Sequence, residues 1–100
     1  MKQANIGLLV RLKAKPGKET ELSDFLKSSV ALAEKETGTT SWFALKLGDT
    51  EYGIFDTFAD EAGRDAHRTG EIATQLRQRA GDLLSAPPAI EATEILGCKF

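Results

Sequence analysis

Residues 5–13 alternate Ile6, Leu8, Val10 and Leu12 with Gly7, Leu9, Arg11 and Lys13, the period of two that side chains keep along an extended strand. Lys15-Pro16-Gly17 follows with turn chemistry, since proline pre-sets φ and glycine accepts the positive φ of a type II turn. From residue 18 to 36 the period changes. Leu22, Phe25, Leu26, Val30 and Ala33 recur every three or four positions, predicting one helix with a buried stripe. Glu19, Glu21 and Asp24 sit near its start, where the helix dipole favours acids, and Gly38 fits the C′ position beyond its end. Residues 39–47 return to alternation, with Ser41, Phe43, Leu45 and Leu47 on one side and Thr40, Trp42, Ala44 and Lys46 on the other. The short Gly48-Asp49-Thr50 predicts an antiparallel hairpin to a third strand over residues 52–58, whose Tyr52, Ile54, Asp56 and Phe58 share a face. Asp60 then caps a short helix whose last turn holds His67, the only histidine in the chain. Thr69-Gly70 breaks the helical run. Ile72, Leu76, Ala80, Leu83 and Leu84 resume it until Ala86-Pro87-Pro88 ends it, and residues 89–100 read as a last strand.

The order β-α-β-β-α-β, with the second helical element broken in two, predicts an α+β split sandwich of the ferredoxin-like type: one four-stranded antiparallel sheet with helices on one face. Helices cover one side of such a sheet only. Yet apolar residues fall on both: Ile6, Leu8, Val10, Phe43, Leu45 and Ile54 are assigned to the covered face, and Leu9, Trp42, Ala44 and Phe55 to the open one. An aromatic side chain buries about 150–250 Å², so covering Trp42 and Phe55 is worth several kcal/mol at about 25 cal/mol per Å². The open face, with Leu9, Arg11, Trp42 and Phe55, is therefore expected to meet its copy in a two-fold homodimer, where Arg11 pairs with an acid across the boundary.

Composition narrows the class of function. One hundred residues suit a single domain spanning residues 1–100, without repeats, linkers or low-complexity segments. Thirteen basic residues against fifteen acidic ones leave a net charge of −2, and no basic cluster is interleaved with aromatics, which argues against nucleic acid as a partner. Residues 1–12 are interrupted by Asn5 and Arg11 and are too short to span a bilayer. The lone Cys98 has no internal partner for a disulfide, and no secretory leader pattern opens the chain, so a reduced, cytoplasmic setting is expected.

His67 is the one side chain whose ordinary pKa lies near neutrality, which makes it the candidate general base; the alternative is a histidine that caps a helix end. Asp56 shares a strand face with Ile54 and Phe58. A carboxylate buried there needs a partner, which His67, an arginine or a backbone amide would supply. One histidine and one cysteine far apart make a metal site improbable. Gly7, Gly53 and Gly97 lack phosphate-loop spacing and suit close backbone approaches. Ser23, Ser28 and Ser29 have no nucleophile elbow around them.

Taken together, Lys15-Pro16-Gly17-Lys18, Thr37-Gly38, the run from Asp56 through Phe58 and Asp60 to Ala62, Ala66-His67 nine residues after Phe58, and Leu83-Leu84-Ser-Ala-Pro87-Pro88 are similar to the antibiotic biosynthesis monooxygenase family of the dimeric α+β barrel superfamily. The resemblance covers nearly the whole chain. It implies a ferredoxin-like subunit, a dimer with facing sheets, and a pocket in each subunit between sheet and helices. Some relatives oxidise phenolic or quinol-like substrates with molecular oxygen and no cofactor, by deprotonating the substrate so that its anion reduces oxygen; others cleave haem. The quinone-forming branch has an asparagine where this chain has Ile54, a tryptophan at Phe58, a tyrosine at Arg64 and a histidine at Leu45. In the haem-degrading branch an asparagine falls at Val10, a tryptophan at His67 and the haem-ligating histidine at Arg77. What this chain keeps is a histidine at the His67 position of other relatives, with an acid, Asp56, two residues before the aromatic.

The resemblance thus implies a cofactor-independent monooxygenase of a small aromatic, quinol-like molecule. His67 would take the hydroxyl proton, Asp56 would orient His67, and Leu8, Val10, Phe25, Phe43, Ile54, Phe58 and Leu76 would form the apolar walls. No metal or organic cofactor is expected. The alternative is a non-catalytic homodimer that binds a small apolar ligand in the same pocket, with Asp56 or His67 as polar anchor.

Overall fold

The computed structural model describes residues 4–100. Its elements are β1 (Ile6–Lys13), α1 (Glu19–Ser28), α2 (Val30–Ala33), β2 (Thr39–Lys46), β3 (Glu51–Phe58), α3 (Glu61–Arg68), α4 (Glu71–Leu83) and β4 (Ala89–Glu94). The strands form one four-stranded sheet in the order β2-β3-β1-β4, with every neighbouring pair antiparallel. This is the α+β, ferredoxin-like split sandwich that the order of periods predicts. β1 lies centrally because its covered face, Leu8, Val10 and Leu12, is buried throughout. Val10 and Leu12 pack with Leu22, Phe25 and Leu26 of α1, Leu76 and Leu83 of α4, and Tyr52 and Ile54 of β3 into the core. No helix among the described residues is long and apolar enough to cross a membrane; residues 1–3 of the opening stretch lie outside the described residues.

Local signals act as their chemistry dictates. Gly17 takes φ +85°, and the Lys18 amide donates to the Lys15 carbonyl at 2.9 Å to close the turn. Asp60 is extended and its Oδ1 accepts from the Gly63 amide at 2.9 Å, capping α3. Arg11 pairs with Glu91 of the same chain, at 4.0 Å on the open face.

Several expectations are corrected. The helix over residues 18–36 divides at Ser29, whose hydroxyl donates to the Phe25 carbonyl at 2.8 Å while its amide is shared between the Phe25 and Leu26 carbonyls. Such back-bonding loosens the helical ladder. Gly38 does not cap that helix, since Gly17 is the only glycine with positive φ among the described residues. The last strand stops at Glu94, followed by one hydrogen bond from the Ile95 amide to the Asn5 carbonyl at 2.9 Å; Leu96 and Phe100 beyond it are exposed. The largest correction concerns β2. Its alternation holds, but its two faces are exchanged: Trp42 lies opposite Asp56 and Ala44 opposite Ile54, whereas Phe43 lies opposite Phe55. Directly opposed residues of an antiparallel pair share a face. Trp42 therefore packs against the core under the helices, and Phe43, half-exposed at 52%, belongs to the open face with Leu9, Leu45 and Phe55.

Candidate functional site

The site begins with two glycines. A Cβ on Gly38 would stand 2.8 Å from Gly63 Cα, and one on Gly63 would stand 2.7 Å from the Gly38 carbonyl oxygen. Glycine inside α3 costs about 1 kcal/mol relative to alanine, so Gly63 is explained by this contact rather than by helix formation. The close approach brings the segment after α2 onto α3 and delivers Glu36 to the end of that helix. There Glu36 Oε1 lies 2.6 Å from His67 Nδ1 and accepts the Thr39 hydroxyl at 2.7 Å.

His67 is held from its other side as well. Its Nε2 lies 2.8 Å from Asp56 Oδ2. Asp56 is fully buried and His67 is 8% exposed. The contact with Asp56 is an ion pair by distance but lies off the direction of the ring N–H, and neither Asp56 oxygen has an aligned hydrogen-bond donor. We take charge, rather than a linear hydrogen bond, as what holds these two together. Phe58 packs against the imidazole, with ring centroids 5.4 Å apart. Burial disfavours the charged ring and is the largest single influence. The close charge of Asp56, followed by the hydrogen bond and charge of Glu36, together outweigh it and hold the imidazole above its ordinary value near 6.5. The ring is thus clamped between carboxylates on β3 and on the segment after α2, which favour its charged form.

His67 also lines a cavity of about 390 Å³ between sheet and helices. Leu8, Val10, Ile54 and Ile90 form its sheet side, and Ile72, Ala73 and Leu76 its helix side. Arg68 and Arg77 complete it, both exposed and so at its mouth. A volume of this order suits a small ligand. A second hollow of about 560 Å³ is lined by Glu36 with Leu32, Lys35 and Glu71, but not by His67 or Asp56. Glu36 therefore stands between the buried ring and this hollow. Among the described residues no group of His, Cys, Asp and Glu is arranged to hold a metal ion; the two acids lie at opposite ring nitrogens and share no open point between them.

Of the residues singled out in the sequence, His67, Leu8, Val10, Ile54 and Leu76 converge on the cavity, with Asp56 behind the histidine. Phe58 supports the ring from the core, Phe25 is a core residue of α1, and Phe43 faces away on the open side of the sheet. Glu36, Arg68, Arg77, Ile72 and Ile90 were not anticipated. A glycine inside a short helix, Gly63, together with Gly38 was the available sign that a segment carrying Glu36 would press on α3.

No protein-family model and no curated protein matches the sequence. Solved structures do match. A protein of unknown function from Nitrosomonas europaea is 53% identical, with TM-score 0.96 over 100% of this chain and 97% of its own. A "putative antibiotic biosynthesis monooxygenase" from Caulobacter crescentus is 18% identical, with TM-score 0.80 over 95% of this chain and 92% of its own. Another so described, also from Nitrosomonas europaea, is 15% identical, with TM-score 0.82 over 92% of this chain and 99% of its own. At such identities these last two establish a common fold, the antibiotic biosynthesis monooxygenase fold that the sequence resembles.

Proposed function

We propose, for a chain that belongs to one family with the 53%-identical Nitrosomonas europaea protein and has the fold of the antibiotic biosynthesis monooxygenases, an oxygen-dependent oxidation of a small phenolic or quinol-like molecule in the cavity beside His67. The observation that carries the reading is the single histidine, buried at an apolar cavity and clamped by two acids. The substrate loses its hydroxyl proton, and the resulting electron-rich anion bonds oxygen at carbon. Loss of water from that adduct leaves one oxygen atom in the product as a carbonyl and the other in water.

His67 works as base only when neutral. Glu36, aligned on Nδ1, then fixes the tautomer that keeps its proton there, leaving Nε2 as the acceptor. A substrate hydroxyl approaches Nε2 beside the off-axis Asp56 contact, and Asp56, buried behind the ring, stabilises the imidazolium that forms. The roles differ from those expected of the sequence, where Asp56 orients the ring. Glu36 also offers the proton a way out through the hollow it lines. A positioned base of this kind contributes about 10²–10⁴ in rate.

We further place the chain in a cytoplasmic homodimer formed through the open sheet face, where Leu9, Phe43, Leu45 and Phe55 are only partly covered by their own chain. The functional test is oxygen uptake with a panel of naphthols and quinols. Turnover by the wild type and its loss in His67→Gln supports the reading; ligand binding with no oxygen consumed would contradict it and leave a binding protein.

A further inference from the structure

The chain has five arginines. Three of them meet acids: Arg11 with Glu91, Arg64 with Glu61, and Arg79 with Glu21 and Asp82. The two without an acidic partner among the described residues, Arg68 and Arg77, are the two that line the cavity. Arg77 donates to the Arg68 carbonyl at 3.3 Å and to the Thr74 hydroxyl at 3.4 Å. Those contacts cap the end of α3 but leave the charge unneutralised. Arg68 at the last turn of α3 suits the helix dipole, yet among the described residues its guanidinium has no acceptor. No acidic side chain among the described residues lines the cavity. Two cations stand at its exposed mouth, while the buried His67 has two carboxylates against its ring that do not themselves line the cavity.

From this polarity, which rests on the cavity proposed above, we infer that its ligand is an amphipathic aromatic anion bearing a carboxylate at the end opposite its hydroxyl. The paired arginines at the mouth bind the carboxylate, and the net negative charge behind His67 repels it. Only one orientation satisfies both, and it places the hydroxyl at the histidine. Guanidinium suits this role because it stays charged and matches a carboxylate with paired donors.

Binding under anaerobic conditions tests the inference apart from any turnover, using 6-hydroxy-2-naphthoate and its neutral 6-hydroxy-2-naphthamide in isothermal titration. The carboxylate is expected to bind about tenfold more tightly, the range of a charge-assisted contact at an exposed site, with the advantage shrinking as salt is added. Arg68→Gln, at an exposed side chain with no internal bond, should remove most of the preference; Arg77→Gln should do the same if the cap it makes is dispensable. Equal affinity of the two ligands, or a preference untouched by Arg68→Gln, overturns the assignment while leaving the cavity as a phenol site. Binding of neither overturns both this inference and the cavity reading beneath it.

Discussion

His67 is the residue on which the proposed chemistry turns, and its environment has opposite consequences for stability and for that activity. Its pKa is raised in the folded state, so the stability that its charge contributes is fully present below about 6.5 and is lost as pH rises through the folded value. Activity runs the other way, since the base must be neutral. Thermal denaturation across this range should show Tm falling with pH in the wild type and a flatter profile in His67→Gln. Truncation is harsher than neutral replacement. His67→Ala leaves buried Asp56 without its cation, and removing one partner of a buried pair costs about 3–5 kcal/mol. Urea unfolding should find that loss largely relieved when Asp56→Asn is added, because the orphaned charge goes with it. Additive losses would show that the two residues do not act as a pair.

At the scale of elements, the site depends on how closely the segment after α2 approaches α3. Alanine usually improves a helix over glycine by about 1 kcal/mol. Gly63→Ala should instead lower stability, because its Cβ meets the Gly38 carbonyl oxygen at 2.7 Å. It should also push Glu36 from the ring and bring the His67 pKa down; a stabilised variant with an unchanged pKa would contradict the role given to the two glycines. This contact shows where sequence legibility ended. The covered faces of β1 and β3, the Pro16-Gly17 turn, the Asp60 cap and the break at Gly70 were readable because each is dictated by a local period or a local backbone demand. That Glu36 would reach His67 was not, since their positions in the chain carry no period linking them and the approach is made by backbone. Similarly, the alternation of β2 was visible while its facing was not: a tryptophan with alanine and lysine looks like the weaker apolar face until the hairpin register sets Trp42 against Asp56.

For the whole molecule, the exchange of faces on β2 redraws the expected dimer surface. Phe43, not Trp42, lies on the open side with Leu9 and Phe55. Sedimentation should therefore find that Phe43→Lys disrupts the proposed homodimer, while Trp42→Leu lowers stability and leaves association intact. The reverse pattern would return the open face to Trp42. The same topology leaves the cavity on the opposite side of the sheet from that surface, so Phe43→Lys tests assembly without entering the site.

His67 is proposed as a base held by two acids and reached by a phenolic ligand. Because the chain contains one histidine, its imidazole gives one set of NMR signals and needs no assignment. Titrating that signal with and without 6-hydroxy-2-naphthoate is the most direct test. The expected result is a pKa above 6.5 in the free protein, falling when Glu36→Gln is introduced, and a clear change in shift and pKa when the ligand binds. An ordinary pKa near 6.5, untouched by Glu36→Gln and by saturating ligand, would contradict it.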